Sequence, residues 1–438
     1  MKKILKKLLP EKIILLYHYF EALLAAWYYG FPSKKMIVIG VTGTKGKTST
    51  INFIWSCLMA GGYKTGIIST ANIRIGEEEF LNKYHMSMPN PFVIQKLMVQ
   101  MVKNGCQFCV VETTSEGIKQ YRHIGICYDV AVFTNLSPEH LQSHGGSFEK
   151  YKQAKGKLFK ALSSCKKIKD GKEIKKVIIV NKDNEHSDYF LSFKADQKIT
   201  FAIKNKEADY ISDDIQETIS GVNFKVANQV FKIGILGKFN VYNALPAIII
   251  GRLFDVNNDL IAKGLMNLKV IPGRMEKIDA GQNFTVLVDY AHEKESMTNA
   301  LETVNGMKKP ESKVIVLLGA EGGGRDKAKR PIMGEVAAKM ADFVIVSNVD
   351  PYLDDPQQIL EDIAVASEKN GKIRNQNLFV IEDRRLGIKK ALSLAKTNDI
   401  VLITGKGAEQ SIVIGGKRFA WDDREVVKEE LKQILSGH

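Results

Sequence analysis

The chain is poor in cysteine and tryptophan, with five and three among 438 residues. The cysteines are odd in number and widely spread, which argues against a disulfide framework and for a reducing compartment. One CxxC, Cys106 to Cys109, has no second pair to complete a zinc site. It opens an apolar run and reads as buried strand cysteines. There is no internal repeat and no low-complexity tract. Basic segments interleaved with aromatics are also lacking, so no nucleic-acid partner is expected. Acidic residues are in deficit, 49 against 63 basic ones, for a net charge of +14. That balance suits anionic ligands without choosing among nucleotides, nucleic acid and acidic membrane. Hydrophobic residues at 45% and charged ones at 26% are ordinary for a soluble globular chain. Disorder, collagen-like repeats and a multi-span membrane protein are excluded, and the length allows two or three domains.

Residues 1–35 stand apart. Lys2, Lys3, Lys6 and Lys7 precede an apolar stretch from Ile13 to Phe31, with Trp27, Tyr28 and Tyr29 near its end. As a helix the stretch would be about 28 Å long, close to the hydrocarbon thickness of a bilayer. His18 and Glu21 interrupt it. A signal peptide fits the pattern but not the nucleotide site that follows at once, because ATP is cytosolic. Two readings remain: a helix packed on the next domain, or a basic, aromatic interfacial helix on the inner membrane leaflet.

Met36 to Val41 is a short apolar run that reads as a buried parallel strand. It leads into Thr42-Gly-Thr-Lys-Gly-Lys-Thr-Ser49, after which Thr50 to Ala60 reads as a helix. Strand, glycine-rich turn, Gly-Lys-Thr and helix form a phosphate loop, in which converging N–H groups and the helix N-terminus favour phosphate. Gly43, Thr44, Lys45, Gly46, Lys47, Thr48 and Ser49 are the ATP-binding candidates. Lys47 would reach the β- and γ-phosphates and the Thr48 hydroxyl would bind Mg²⁺. The strict pattern wants glycine where Val41 stands.

This variant loop resembles that of the Mur ligases, the ATP-dependent amino-acid-adding enzymes of peptidoglycan synthesis. Further segments resemble the family in order, over roughly residues 36 to 430. Val110 to Gly117 ends a strand on Glu112, matching a magnesium-binding glutamate. Thr114, Gln120 and Arg122 match positions that hold the acceptor's carboxylate end, and Ser87 and Met88 belong with them. Glu116 replaces a usual histidine. Val132 to Gly145 resembles "FTNLxxDHLDxHG", which implies His140 as a second metal-site ligand, with Glu139 in place of aspartate. Lys155 matches a lysine that the family carbamylates, turning a cation into an anion beside magnesium. Asn240 and Asn243 match contacts to the adenine region, Arg274 a phosphate contact at the domain junction, and Asp289 and His292 residues that close over ATP. Lys47, Glu112, His140 and Lys155 are the implied catalytic set.

Leu318 to Pro331 and Gly405 to Glu409 resemble "GxGGxRDxxKRP" and "GKGHE" of the branch that adds the third stem residue. They imply Arg325, Asp350, Tyr352, Gly405 and Glu409 as the amino-acid site, with Ala408 in place of histidine. Diaminopimelate-adding members carry Asp-Asn-Pro-Arg where this chain has Val349-Asp-Pro-Tyr352. Tyrosine cannot make arginine's bidentate pair with a carboxylate, so the amino acid is open. The uridine-binding domain of full-length relatives has no counterpart in 1–35, which puts a UDP-linked acceptor in question and admits a lipid-linked one.

The architecture implied is α/β: a helical leader over 1–35, a phosphate-loop ATPase domain over 36–270 with a strand-rich excursion from Tyr210 to Ile235, and a doubly wound Rossmann-like domain over 271–438. The expected enzyme is a cytoplasmic monomeric acid–amino-acid ligase using ATP and Mg²⁺ in cell-wall biogenesis. Its partners are an amino acid and a cell-wall precursor, with peripheral membrane contact through 1–35. The alternatives are folylpolyglutamate-type synthesis and a nucleotide-binding accessory subunit.

Overall fold

The computed structural model describes residues 10–436 apart from His85, His140, Asp170, Ile219 and Arg325. Lys2, Lys3, Lys6, Lys7, the metal-ligand candidate His140 and the amino-acid-site candidate Arg325 therefore lie outside the described residues. The chain forms two units. One comprises Met1–Gln216, Val222–Gly234 and Asn240–Lys269; the other comprises Glu217–Gly221, Ile235–Phe239 and Val270–His438.

The first unit is built on an eleven-stranded sheet. Its strands are Ile37–Thr42 (β1), Thr65–Ile68 (β2), Asn72–Ile75 (β3), Glu78–Leu81 (β4), Phe108–Glu112 (β5), Val130–Phe133 (β6), Val177–Asn181 (β7), Gln197–Ala202 (β8), Tyr210–Thr218 (β9), Gly221–Val226 (β10) and Gln229–Ile233 (β11). The spatial order is β11-β10-β9-β8-β7-β6-β1-β5-β2-β3-β4. From β2 through β5, β1, β6, β7 and β8 the pairs are parallel. Every residue of β1, β5, β6 and β7 is buried. This is the burial expected of parallel strands covered on both faces, and the reason they read as unbroken apolar runs. The chain passes from β1 to β5 on one side of β1 and on to β6 on the other. Such a reversal opens a crevice at the carboxyl end of β1, where open α/β sheets bind ligands.

Helix α1, Glu11–Tyr28, lies on this unit. Ala22, Ala25 and Ala26 share one side and are fully buried. Small side chains are needed there: a Cβ on Gly125 would sit 2.4 Å from that of Ala26. The helix thus packs on the domain, as the first reading of the leader expects. No described helix is long and apolar enough to cross a membrane.

One expectation is overturned. Cys127, just before β6, and Cys165 form a disulfide, with Cα atoms 5.6 Å apart. They are 38 residues apart in sequence, so only folding reveals the pairing, and the cysteine argument for a reducing compartment falls with it. Cys106 and Cys109 are free and buried, as their apolar run implies.

In the second unit Glu276–Ile278 (β12), Thr285–Asp289 (β13), Val314–Leu318 (β14), Phe343–Val346 (β15), Leu378–Val380 (β16) and Ile400–Thr404 (β17) are ordered β12-β13-β17-β14-β15-β16. All pairs but β12–β13 are parallel. Side chains alternate between faces, as the period of two requires. Val314, Val316 and Leu318 join one core with Leu301, Met333 and Ile363. Ile315 and Leu317 join the other with Ile388, Val427 and Leu431. Two apolar layers on one sheet make the doubly wound arrangement expected from the sequence.

His123, in the turn before β6, is 5% exposed, and burial lowers its pKa to about 4, with Lys157 acting in the same direction. The ring is therefore neutral in the folded chain at pH 6, while the unfolded chain, with a value near 6.5, takes up the proton. Its contribution is complete above pH 6.5 and is lost as pH falls towards 4, to a total of about 3 kcal/mol. Denaturant melts across that window should show the loss, and His123→Phe should flatten it.

Candidate active site

The turn after β1 carries the phosphate loop, and its backbone is closely surrounded. Gly43 has φ 156°, and a Cβ there would lie 1.9 Å from Thr134 Oγ1. Gly46 has φ 77°, and a Cβ would lie 2.0 Å from Asn243 Oδ1. Both glycines are thus fixed by close approach, and at Gly46 also by left-handed backbone. Helix α2, Lys47–Ala60, starts directly behind. Thr44 N–H donates to the Asn135 carbonyl at 2.9 Å and Lys45 N–H to Asn135 Oδ1 at 2.8 Å. Thr44 Oγ1 lies 3.1 Å from the Tyr151 hydroxyl, and Lys45 pairs with Glu139 at 2.9 Å. Lys47 Nζ donates to the Thr44 carbonyl at 2.8 Å, so the lysine is folded over its own loop. Asn240 and Asn243 open a buried helix, Asn240–Leu253, and Asn243 Nδ2 donates to Asn240 Oδ1 at 2.8 Å.

Glu112 ends β5 in register with Val41 and is buried. It accepts from Thr48 Oγ1 at 2.9 Å, from Thr70 N–H at 2.9 Å and from Thr70 Oγ1 at 2.8 Å. Thr70 in turn meets the Ser87 hydroxyl. Arg122 bonds the Met88 carbonyl and donates to Gln120 Oε1 at 2.6 Å. Thr114 caps the short helix Ser115–Lys119 through Gly117 N–H at 3.2 Å. These five acceptor-site candidates therefore adjoin the Glu112 wall or one another. The Met88 side chain is itself core, packed under Gly117, which leaves its main chain for contact. Thr70 belongs to the site although it lies in no family motif, and Tyr151, which opens the Tyr151 to Phe159 segment around Lys155, joins it through Thr44.

Lys155, on the helix Phe148–Leu162, is 2% exposed. Its Nζ donates to the Gly43 carbonyl at 2.7 Å and lies 4.5 Å from the Tyr151 ring centre. Burial, reinforced by Lys47, drives its pKa well below the usual lysine range, against the pull of Glu139 and Glu112. An amine held so tends to lose its proton and become nucleophilic.

In the second unit a buried lysine that sequence reasoning passed over organises the amino-acid-site candidates. Lys406 donates to Asp350 Oδ2 at 2.8 Å and pairs with Glu409. Burial opposes its charge, but Glu409 and Asp350 outweigh that and raise its pKa. Its signal was present, at three residues before Glu409 within the Gly-Lys-Gly segment. Glu409 also accepts from the Tyr290 hydroxyl at 3.3 Å. Gly405 and Gly407 have φ of 107° and 54°. Tyr352 adopts φ 55°, and its N–H donates to the Val413 carbonyl at 3.2 Å. Arg274 lies over the Tyr290 ring at 4.4 Å. Asp289 accepts from Met275 N–H and Ala291 N–H, each at 2.8 Å, so one oxygen braces its own turn and the other ties it to the segment leading into β12. Burial raises its pKa, with Arg274 opposing. His292 Nδ1 donates to the Tyr290 carbonyl at 2.7 Å.

Comparison with known proteins agrees with this arrangement. The family described as Mur ligase middle domain matches residues 41–251, and that described as Mur ligase, glutamate ligase domain, matches 273–407. A UDP-N-acetylmuramyl-tripeptide synthetase from Roseiflexus sp. (strain RS-1) is 36% identical over 94% of this chain and 82% of its own length. A UDP-N-acetylmuramoyl-L-alanyl-D-glutamate–2,6-diaminopimelate ligase from Bacillus cereus is 37% identical over 95% and 82%. A solved structure of a ligase of the latter name aligns with TM-score 0.61 at 28% identity, over 92% of this chain and 79% of that one. Folylpolyglutamate synthase from Mycobacterium tuberculosis, solved with ADP and AMPPCP, aligns at TM-score 0.69 over 96% and 95%, at 16% identity, which speaks for the fold alone.

Two substitutions separate the loop's charge from its shape. Lys47→Ala should weaken ATP binding by roughly tenfold or more in calorimetry, the scale of a lost charge-assisted contact, with an unchanged melting temperature. Gly46→Ala should lower both, because its Cβ has no room beside Asn243.

Proposed function

The chain belongs to the Mur ligase family, whose members are ATP-dependent amide ligases, and on that premise we propose how its own residues divide the work. The acceptor is a carboxylate of a peptidoglycan precursor, lengthened by one amino acid. The observation that carries this reading is the Thr48–Glu112 contact at 2.9 Å at the mouth of the phosphate loop. A hydroxyl and a carboxylate converging beside phosphate-binding amides are a hard-oxygen donor set that fits Mg²⁺. Thr48 and Glu112 would hold the ion, with His140 added by resemblance. Bound there, magnesium would offset charge on the transferring phosphoryl group.

The loop amides and Lys47 bind and orient the triphosphate of ATP. An acceptor carboxylate oxygen attacks the γ-phosphorus and ADP leaves, giving an acyl phosphate. The amino group of the incoming amino acid then attacks the acyl carbon, phosphate departs, and an amide remains. Ser87, the Met88 main chain, Thr114, Gln120 and Arg122 hold the acceptor. Asp350, Tyr352, Gly405 and Glu409, with Arg325 by resemblance, hold the amino acid around Lys406. Arg274, Asp289 and His292 are nucleotide residues by resemblance, and exclusion of water protects the acyl phosphate. Lys155 acts as a carbamate: its ammonium first gives up its proton, the neutral amine then takes up CO₂ and releases a second proton, and an anion stands where the cation was. A monomer at the inner membrane face, in contact through residues 1–35, goes with this reading, and the acceptor is UDP- or lipid-linked.

ADP release against a panel of amino acids and of UDP- and lipid-linked acceptors tests the reaction. Release with a cell-wall acceptor is expected; release with folates alone, or with none, would overturn the proposal. Lys155→Ala should cut turnover at least about a hundredfold, as loss of a residue acting in general electrostatic stabilisation does, and short carboxylates should restore part of it. Labelled bicarbonate should give a carbamate carbon resonance in the parent chain and none in that variant. If position 352 selects the amino acid, Tyr352→Arg should favour diaminopimelate; unchanged use of diaminopimelate would exclude that role.

A further inference from the structure

Helix α1 has two unlike sides. Its alanine side is sealed against the domain, and Glu21 on its flank is tied down by Asn90 Nδ2 at 2.8 Å and His18 Nδ1 at 3.3 Å. The helix is therefore seated, and its other side is not a contact surface awaiting this domain. That other side carries Leu16, Tyr17, Phe20, Leu24, Trp27 and Tyr28, each 55–70% exposed. At 100° per residue these six fall within an arc of about 120°, with no charged residue among them. With Phe92 of the neighbouring helix Pro91–Lys103, six of the helix's residues in and beside this arc, Glu21 at its edge among them, line an open groove of about 680 Å³.

In the sequence, lysines precede and follow the stripe. Residues 1–35 contain seven lysines and two glutamates, with Lys2, Lys3, Lys6 and Lys7 before the helix and Lys34 and Lys35, both exposed, after it. Glu11 is occupied by Lys119 at 2.9 Å. We infer that this face of α1 is a docking surface for an anionic lipid bilayer, on which the helix lies in the interfacial plane. Two observations select that occupant. Aromatic rings with polar tips, here Tyr17, Trp27 and Tyr28, prefer the headgroup boundary over a dry protein interface. A second copy pairing through the same stripe would bring its own excess of lysine over residues 1–35 to the contact, whereas acidic headgroups complement that excess. The inference deepens the membrane contact proposed above by naming its face and its lipid, and it does not depend on the ligase chemistry.

The test is co-sedimentation of the full chain with vesicles of mixed phosphatidylglycerol and phosphatidylcholine, beside vesicles of phosphatidylcholine alone. Binding to the anionic vesicles at low salt, weakened by added salt, is expected. The double substitution Phe20→Ser with Trp27→Ser should weaken it by roughly tenfold or more, the scale of withdrawing two aromatic side chains from an apolar phase. Its melting temperature and ATP hydrolysis should match the parent's. No sedimentation with anionic vesicles at low salt would overturn the inference, as would a double variant that sediments like the parent. A reversible dimer in sedimentation velocity, abolished by the double substitution and seen in place of vesicle binding, would assign the stripe to a second copy. Loss of ADP release with vesicle binding intact would count against the ligase reading alone.

Discussion

Backbone, more than side chain, is what the site in the first unit is made of. The loop after β1 approaches Thr134 at Gly43 and Asn243 at Gly46 too closely for any Cβ. These contacts come from two separate segments of the chain, one just after the end of β6 and one on the helix at Asn240. The loop is therefore held by two segments that follow it by about ninety and two hundred residues. The sheet order, with β1 between β5 and β6, is what delivers Thr134 and Glu112 to the same edge. Parallel topology, loop geometry and the Glu112 wall are consequently one constraint and not three.

Within that frame the charged groups are satisfied internally. Lys47 bonds the loop's own carbonyl, Thr48 bonds Glu112, and Lys155 bonds Gly43. Each would have to give up that partner to meet a phosphate, a metal ion or CO₂. These hydrogen bonds are 2.7–2.9 Å long, and for Lys47 a phosphate oxygen can replace the carbonyl with a charge-assisted contact of equal or greater strength. In the second unit the same economy holds around Lys406, whose two carboxylate partners come from separate loops.

The sequence made contiguous features legible and left the rest to folding. Val314 to Leu318 and Ile400 to Thr404 are strands at the expected bounds because a doubly covered strand must be apolar at every position. The phosphate loop was readable because its glycines, lysine and threonine are adjacent. Thr70 was not, since nothing local distinguishes a threonine that will meet Glu112 from any other. Met88 shows a subtler limit: a motif position carried a residue whose side chain went to the core and whose carbonyl faces Arg122. Cys127 and Cys165 show it again, because spacing alone carries no distance in space. Lys406 stands between Gly405 and Gly407 in the same segment, and only the fold shows that it holds Asp350 as well as Glu409.

The Cys127–Cys165 bond has one more effect. Together with the intervening chain it closes a covalent ring, and that ring contains Thr134, Glu139, Tyr151 and Lys155. A protease nick anywhere along the enclosed segment would leave a single molecule, its two halves still joined, until a reductant opened the ring. The part of the first unit that braces the phosphate loop from below is thus the part whose cleavage would be silent on a non-reducing gel.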